Sequence, residues 1–426
     1  MRISIIYIVL ILFLTIPIFA QTNFTKFFQD KSLRFDYYHS GNNENDYFTF
    51  DELIEEPYWA GSKVNLIDNL GYGNLIAKVF DAKSNELIYS HSYSVLFHEW
   101  QTTDEAKKIS RTFSETIVLP FPKDSVRIEI FDRDSLNIFR KRYEVGVSPK
   151  NYFIKNENRH KHKKFMVHYS GEPSEKLDVV FLPEGYTKDE MDKFKKDCEK
   201  YSNYLFTYAP FDTLYNKINV WGVEAPSLES GTDIPADSIW KSTILNSSFY
   251  TFDSERYLMT TDYKKVRDLA ANVPYNQIYI LVNSDKYGGG AIYNYYNVTV
   301  VDNAKSKQVF VHEFGHGLAG LADEYYTSEV SYQDFYSLDV EPWEANITTL
   351  INFDSKWKKF VSPKTEIPTK TKDAPINLIG AFEGGGYVEK GVYRSTENSL
   401  MKSLGVDEFN KVSKDAIERV IKFYSE

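Results

Sequence analysis

Two rhythms of apolar positions divide the chain. Up to about residue 150 they recur every second residue in short runs, as in VRIEIFD at 126–132. NLIAKVFDA, ELIYSHSYSVLF and ETIVLPF are similar stretches, broken by Asp, Lys, Ser, Asn and Pro. Such alternation buries one face of a strand and leaves the other in water. Several short strands at close intervals, with no fixed repeat, predict an all-β antiparallel sandwich over 21–150. From residue 176 the rhythm changes. KLDVVFLPEGY (176–186) predicts a buried strand with a turn at Pro183 to Gly185, and KDEMDKFKKDCEKYSNYLF has helical spacing. KINVWGVEAP and NQIYILVN predict further strands, SFYTFDSERYL and YKKVRDLAANV predict helices, and AIYNYYNVTVVDN is again strand-like. Strands alternating with helices imply a mainly parallel sheet, hence an α/β domain over 176–426.

Between the two lies KNYFIKNENRHKHKKFMVHYSGEPSEK, basic and polar, which predicts a linker or exposed strand at the boundary 151–175. His160, His162 and His168 sit in this mixed Lys/His run, which suits a solvated face better than a metal site. Tyr287 with Gly288, Gly289 and Gly290 marks a turn or a place where backbone comes close to a ligand.

The first twenty residues stand apart. Arg2 precedes ISIIYIVLILFLTIPIFA, a pattern that predicts a signal peptide over 1–20 and export to the periplasm, cell surface or exterior. If that segment is not removed it would act as a membrane anchor; otherwise no membrane partner is expected. The formal charge of −10 argues against a nucleic-acid partner, and 32 Tyr with 30 Phe argue against disorder. The one cysteine, Cys198, lies in a helical stretch and is read as a packing residue; no intramolecular disulfide can form.

The chemistry concentrates at 312–324, HEFGHGLAGLADE. Asn303 is read as the cap of a helix that runs through HEFGH and stops at Gly320. Positions i and i+4 share a helix face, so His312 and His316 can present two imidazoles to one metal ion, with Glu313 beside it as general base. A catalytic zinc site needs a third protein ligand. The long pattern HExxHxxGxxH would place it at Ala322, which cannot bind zinc. Counting three residues from Gly320, as metzincins do, lands on Asp323, with the adjacent Glu324 as runner-up. Metzincins also place a methionine in a tight turn beneath the metal, and Met401 in STENSLM, ahead of a C-terminal amphipathic stretch, fits that order. Tyr393 and Tyr387 are candidates for contacting an oxyanion or substrate. His98-Glu99 is not a second HExxH motif, because position 102 is threonine.

HEFGHGLAGLADEYY, LDVVFLPEGYTKDEMDKF, PSLESGTDIP, EPWEANITTLINFDSKWKKF and STENSLM together resemble the IgA-peptidase family of bacterial zinc metallopeptidases. The likeness covers about 170–426, and the β-rich part resembles the N-terminal domain commonly attached to that family. The resemblance implies a secreted zinc endopeptidase, a hydrolase of protein or peptide substrates, with a metzincin-like zincin domain. It carries zinc ligation onto His312, His316 and Asp323, base work onto Glu313 and the methionine turn onto Met401. It does not carry the substrate, since a site motif fixes a reaction class and not a sequence preference. Glu229, Asp233 and Glu324 are acidic enough for calcium, although ordinary loop chemistry explains them as well. Two rival readings stay open: a surface glycan- or protein-binding module with structural zinc, and a zinc exopeptidase or amidase.

Overall fold

The computed structural model describes residues 22–156, 161–326, 336–371, 375 and 377–426 of the 426. The segment 1–20, read as a signal peptide, and His160 lie outside the described residues.

The N-terminal part opens with α1 (Phe24–Phe27), capped by the Asn23 side chain, and continues into β1 (Phe28–Gly41) and β2 (Asp46–Glu56). After β3 (Leu75–Asp81), β4 (Leu87–Tyr93) and the short α2 (Leu96–Gln101) come β5 (Arg111–Pro122), β6 (Val126–Arg133) and β7 (Phe139–Val147). They form two antiparallel sheets, ordered β2-β1-β5 and β4-β3-β6-β7. Alternate residues send apolar side chains into one core: Ile117 and Leu119 of β5 and Ile128 and Ile130 of β6, in stretches whose alternation predicts strands, together with Leu33, Phe35 and Tyr37 of β1, whose intervening Arg34 and Asp36 are buried as well.

The second part carries a six-stranded sheet built from β8 (Lys163–His168), β9 (Leu177–Glu184), β10 (Ile218–Glu224), β11 (Gln277–Val282), β12 (Gly289–Ile292) and β13 (Tyr296–Val300). The order is β12-β13-β11-β9-β10-β8. The four central strands are parallel and both edges are antiparallel. Strands β9 and β11 are buried at every position, as strands covered on both faces must be. Helix α3 (Met191–Leu205) covers the sheet with Met191, Phe194, Cys198, Tyr201 and Leu205, spaced on one helical face. After α4 (Phe211–Leu214), α5 (Tyr263–Ala270) and α6 (Ser306–Ala319) come β14 (Ile347–Thr348), β15 (Phe382–Gly385), β16 (Val388–Arg394) and the closing α7 (Lys411–Ser425). Strands β14, β16 and β15 make a small antiparallel sheet. The fold is thus mixed α/β behind a β-rich N-terminal region.

Two local expectations change and one is narrowed. Of the linker or exposed strand read at the boundary, the structure takes the strand: β8 lies at the edge of the large sheet, where the Asn272 side chain accepts from the His162 backbone N–H and His168 Nε2 lies 3.0 Å from the Tyr215 carbonyl. SFYTFDSERYL is no α-helix; it holds one 3₁₀ turn at Thr251–Asp253, with Tyr250, Phe252 and Asp253 at positive φ. Its backbone is instead used in bridges from Ser248 to Met259 and from Tyr257 to Gly289, which apolar spacing cannot reveal. AIYNYYNVTVVDN folds into the hairpin β12–β13, turning at Asn294 with φ 52°.

The two parts share one apolar cluster, which runs from Phe35 and Leu119 to Val180, Leu182 and Ile280 of the large sheet. A buried ionic knot spans the same junction. The Arg34 guanidinium donates to both Asp36 oxygens and, at 2.8 Å, to Asp268 on α5.

Candidate active site

Helix α6 carries Val309, Phe310, Val311, Phe314 and Leu318, apolar nearly all round, and is accordingly enclosed by protein. Asn303 does not cap it. That residue belongs to the preceding turn, where its Oδ1 accepts from Lys305 N–H at 3.0 Å and its Nδ2 donates to the Asp285 carbonyl. The end is as expected: Gly320 has φ 56° and ψ 35°, with Gly320 N–H bonded to the His316 carbonyl and Leu321 N–H to that of Gly315. Left-handed backbone costs glycine nothing, and this bond pair closes the helix and turns the chain back.

The next residues, 321–326, belong to no helix or strand, and the Asn346 side chain holds Ala322 by both its peptide groups at 2.8 Å. Asp323 faces the histidines and Glu324 faces away. His312 Nε2 and His316 Nε2 are 3.0 Å apart, and Asp323 Oδ1 stands 3.1 and 3.4 Å from them. These three are the one group of metal-ligating side chains converging in this way among the described residues. Glu324 is fully buried elsewhere: its carboxylate accepts from Asn346 Nδ2 (3.0 Å), Asn410 Nδ2 (2.8 Å) and Ser399 Oγ (2.6 Å). It ties the methionine turn to α7. Glu229 and Asp233 do not join it; they accept backbone N–H groups of Ser242 and Lys241 in their own loop.

The outer atoms of each candidate ligand are also held. His312 Nδ1 lies 3.0 Å from the Leu400 carbonyl, and His316 Nδ1 contacts the Leu321 carbonyl. The turn that supplies Leu400 also places Met401, wholly buried, against α6 at Gly315, and the Met401 carbonyl accepts from Glu324 N–H. Tyr387 OH donates to Asp323 Oδ2, and Gly386 N–H bonds the Asp323 carbonyl. Tyr387 thus grips a candidate ligand while lining the cleft. Tyr393 is corrected outright: it packs beside Trp357 and Phe353 in a separate small cluster and does not line the cleft.

The electrostatics suit a cation. Asp323 Oδ1 is buried and has no hydrogen-bond partner among the described residues. Burial would raise the Asp323 carboxyl, but the two histidines outweigh it and hold the group well below the usual range. Burial would likewise lower His316, yet Asp323 and Glu313 lift it to about 9. The same pull on a positive charge is what a divalent ion satisfies, in place of the protons that such ligands shed on binding it. Glu313 is raised by burial against the opposing pull of His312 and His316.

His312, Glu313, His316 and Asp323 open onto a cavity of about 510 Å³. Edge strand β12 forms one wall, where Gly289 allows α6 to come close: a Cβ there would stand 2.9 Å from Val309 Cγ1 and 3.4 Å from Glu313 Cγ. Two wall residues carry no signal in the sequence. Arg256, from the segment read as helical, reaches within 3.5 Å of Tyr325 OH, and Tyr325, Tyr287 and Asp323 keep it charged despite burial. Glu99 comes from the N-terminal part.

Residues 166–378 and 371–421 match the family described as IgA Peptidase M64, and residues 23–144 match the Peptidase M64 N-terminus. No curated protein matches the chain. With the match spanning most of the chain, and with the cluster of His312, His316 and Asp323 inside it, the protein belongs to the IgA peptidase M64 family and is a peptidase, a hydrolase acting on peptide bonds of protein or peptide substrates.

Proposed function

We propose that this peptidase is an exported, zinc-dependent endopeptidase with a metzincin-like catalytic domain, in which His312, His316 and Asp323 hold the metal. The observation that carries the reading is the convergence of two imidazoles and a buried carboxylate oxygen within 3.0–3.4 Å, beside Glu313, in an open cleft. A structural zinc is usually closed off by four protein ligands, whereas three with an accessible side describe a catalytic one. When bound, zinc supplies Lewis acidity: it eases deprotonation of water and polarises a carbonyl.

The chain's residues do the rest. Glu313 takes the proton from the attacking water and returns it to the departing amine. Its raised pKa suits both halves of that exchange. The Leu400 and Leu321 carbonyls fix which nitrogen of each imidazole faces the metal, and Tyr387 orients Asp323. The helix-ending glycine, a ligand three residues on and a methionine under the helix support the metzincin-like assignment. The N-terminal apolar segment supports export, which N-terminal sequencing of the secreted protein would test.

Metal analysis combined with digestion of long, end-blocked peptides tests the mechanism. The wild type should hold one zinc per chain, cut internal bonds and lose activity to a chelator. Glu313→Ala should keep the zinc and lose about 10²–10⁴-fold in kcat. Wild type and variant both loaded with zinc and both inert would reject the proposal in favour of a binding module. Cleavage restricted to chain ends would reject it in favour of an exopeptidase.

A further inference from the structure

Helix α2 belongs to the N-terminal β-rich part, and Leu96, Phe97 and Trp100 anchor it in the core with no exposure. The flanking chain is bolted to the catalytic part: Ser94 N–H donates to the Tyr293 carbonyl at 2.9 Å, and Asn294 Nδ2 donates to that of Ser92 at 2.8 Å. The other side of this anchored turn forms part of the catalytic cavity wall through Val95, Glu99 and Thr102. Tyr257, whose backbone bridges to Gly289 of β12, donates its hydroxyl to Glu99 Oε2. Glu99 Oε1 has no hydrogen-bond or ion-pair partner among the described residues. Two basic side chains of the cleft wall are turned elsewhere, Arg256 to Tyr325 and Lys402 to the Glu397 carbonyl.

We propose that Glu99 is a specificity-determining residue of the peptidase, receiving the cationic side chain of a lysine or arginine in the substrate. The inference rests on the peptidase cleft described above and not on the role given to Glu313. A carboxylate held in place, partly desolvated and with no cation paired to its free oxygen gains from one that arrives with the ligand. Burial is the largest influence on it, and with Glu313 and Asp323 nearby it lifts the carboxyl to about 7 against the pull of Tyr257 and His316. A neutral substrate side chain would leave that cost uncompensated. The N-terminal part thereby becomes a wall of the substrate site as well as a fold partner.

The test is equilibrium binding of acetylated, amidated peptides that differ at one position (lysine, norleucine or glutamate), scanned along the sequence. Binding to the Glu313→Ala protein requires no turnover. At one position the lysine peptide should bind about tenfold tighter than its norleucine twin. Glu99→Gln should bring that ratio close to one, and Glu99→Lys should invert it in favour of glutamate. A ratio unchanged in Glu99→Gln, or no basic preference at any position, overturns the proposal. So does a preference seen only with free N-termini, which assigns the cation to a terminal amine. Cleavage by the wild type is scored separately: peptides bound but never cut would reject the endopeptidase reading and leave the binding result standing.

Discussion

Tyr387→Phe separates two roles for one hydroxyl. As an oxyanion contact it would lower kcat and leave metal retention alone. As the donor to Asp323 Oδ2 it fixes a candidate ligand, and its loss weakens the site before any chemistry begins. Phenylalanine keeps the Cβ and ring at this position, where φ is 65°, so the backbone cost is the same in both proteins and the hydroxyl is the whole difference. A hydrogen bond to a charged group contributes about 1.5–3 kcal/mol, and every 1.4 kcal/mol is tenfold in affinity. The expected loss of zinc affinity is therefore about 10–100-fold, the range seen when such supporting groups are removed from other metal sites. Competition against a chromophoric chelator measures it directly, with kcat determined at saturating zinc. Unchanged zinc affinity together with a fall in kcat would refute the supporting role and restore the oxyanion role.

The neighbouring carboxylates should behave oppositely: Asp323→Asn should lose zinc from a stable protein, whereas Glu324→Gln should keep zinc and unfold at lower denaturant, since it alters a fully buried acceptor of three hydrogen bonds. Replacing Arg34 with Met removes the guanidinium from Asp36, Glu56 and Asp268 and should cost about 3–5 kcal/mol in urea unfolding; a change under 1 kcal/mol would show that the knot does not hold the two parts together. Asp178 is buried and pushed up to about 7 by desolvation, against donors from Trp221 and Asn219. Between its ordinary value near 4 and about 7 the unfolded chain binds fewer protons than the folded one, so this group removes stability as pH rises through that window, by a few kcal/mol at most. Asp178→Asn should flatten the pH dependence of unfolding there, and an unaltered slope would contradict the assignment.

What was legible in the sequence was local. An HExxH pair shares a face because helix geometry fixes i and i+4, and Gly320 ends that helix because left-handed backbone needs no partner elsewhere to favour glycine. Alternation in β5 and β6 likewise predicts the strand and its core-facing side, since neighbouring strand residues must face opposite ways. Side-chain destinations beyond such elements depend on what waits in space. Asp323 and Glu324 differ by one position and similar chemistry. Asn346 fixes the backbone at Ala322, between them and Gly320, while Ser399 and Asn410 are placed to receive the glutamate. Tyr387 and Tyr393 look alike in a tyrosine-rich chain, yet a turn bonded to Asp323 brings one to the cleft and the small sheet carries the other to Trp357. Glu99 and Arg256 could not be found from spacing at all. They reach the cleft because two parts of the chain, distant in sequence, bury their apolar faces in a common core, and that contact exists only once both have folded.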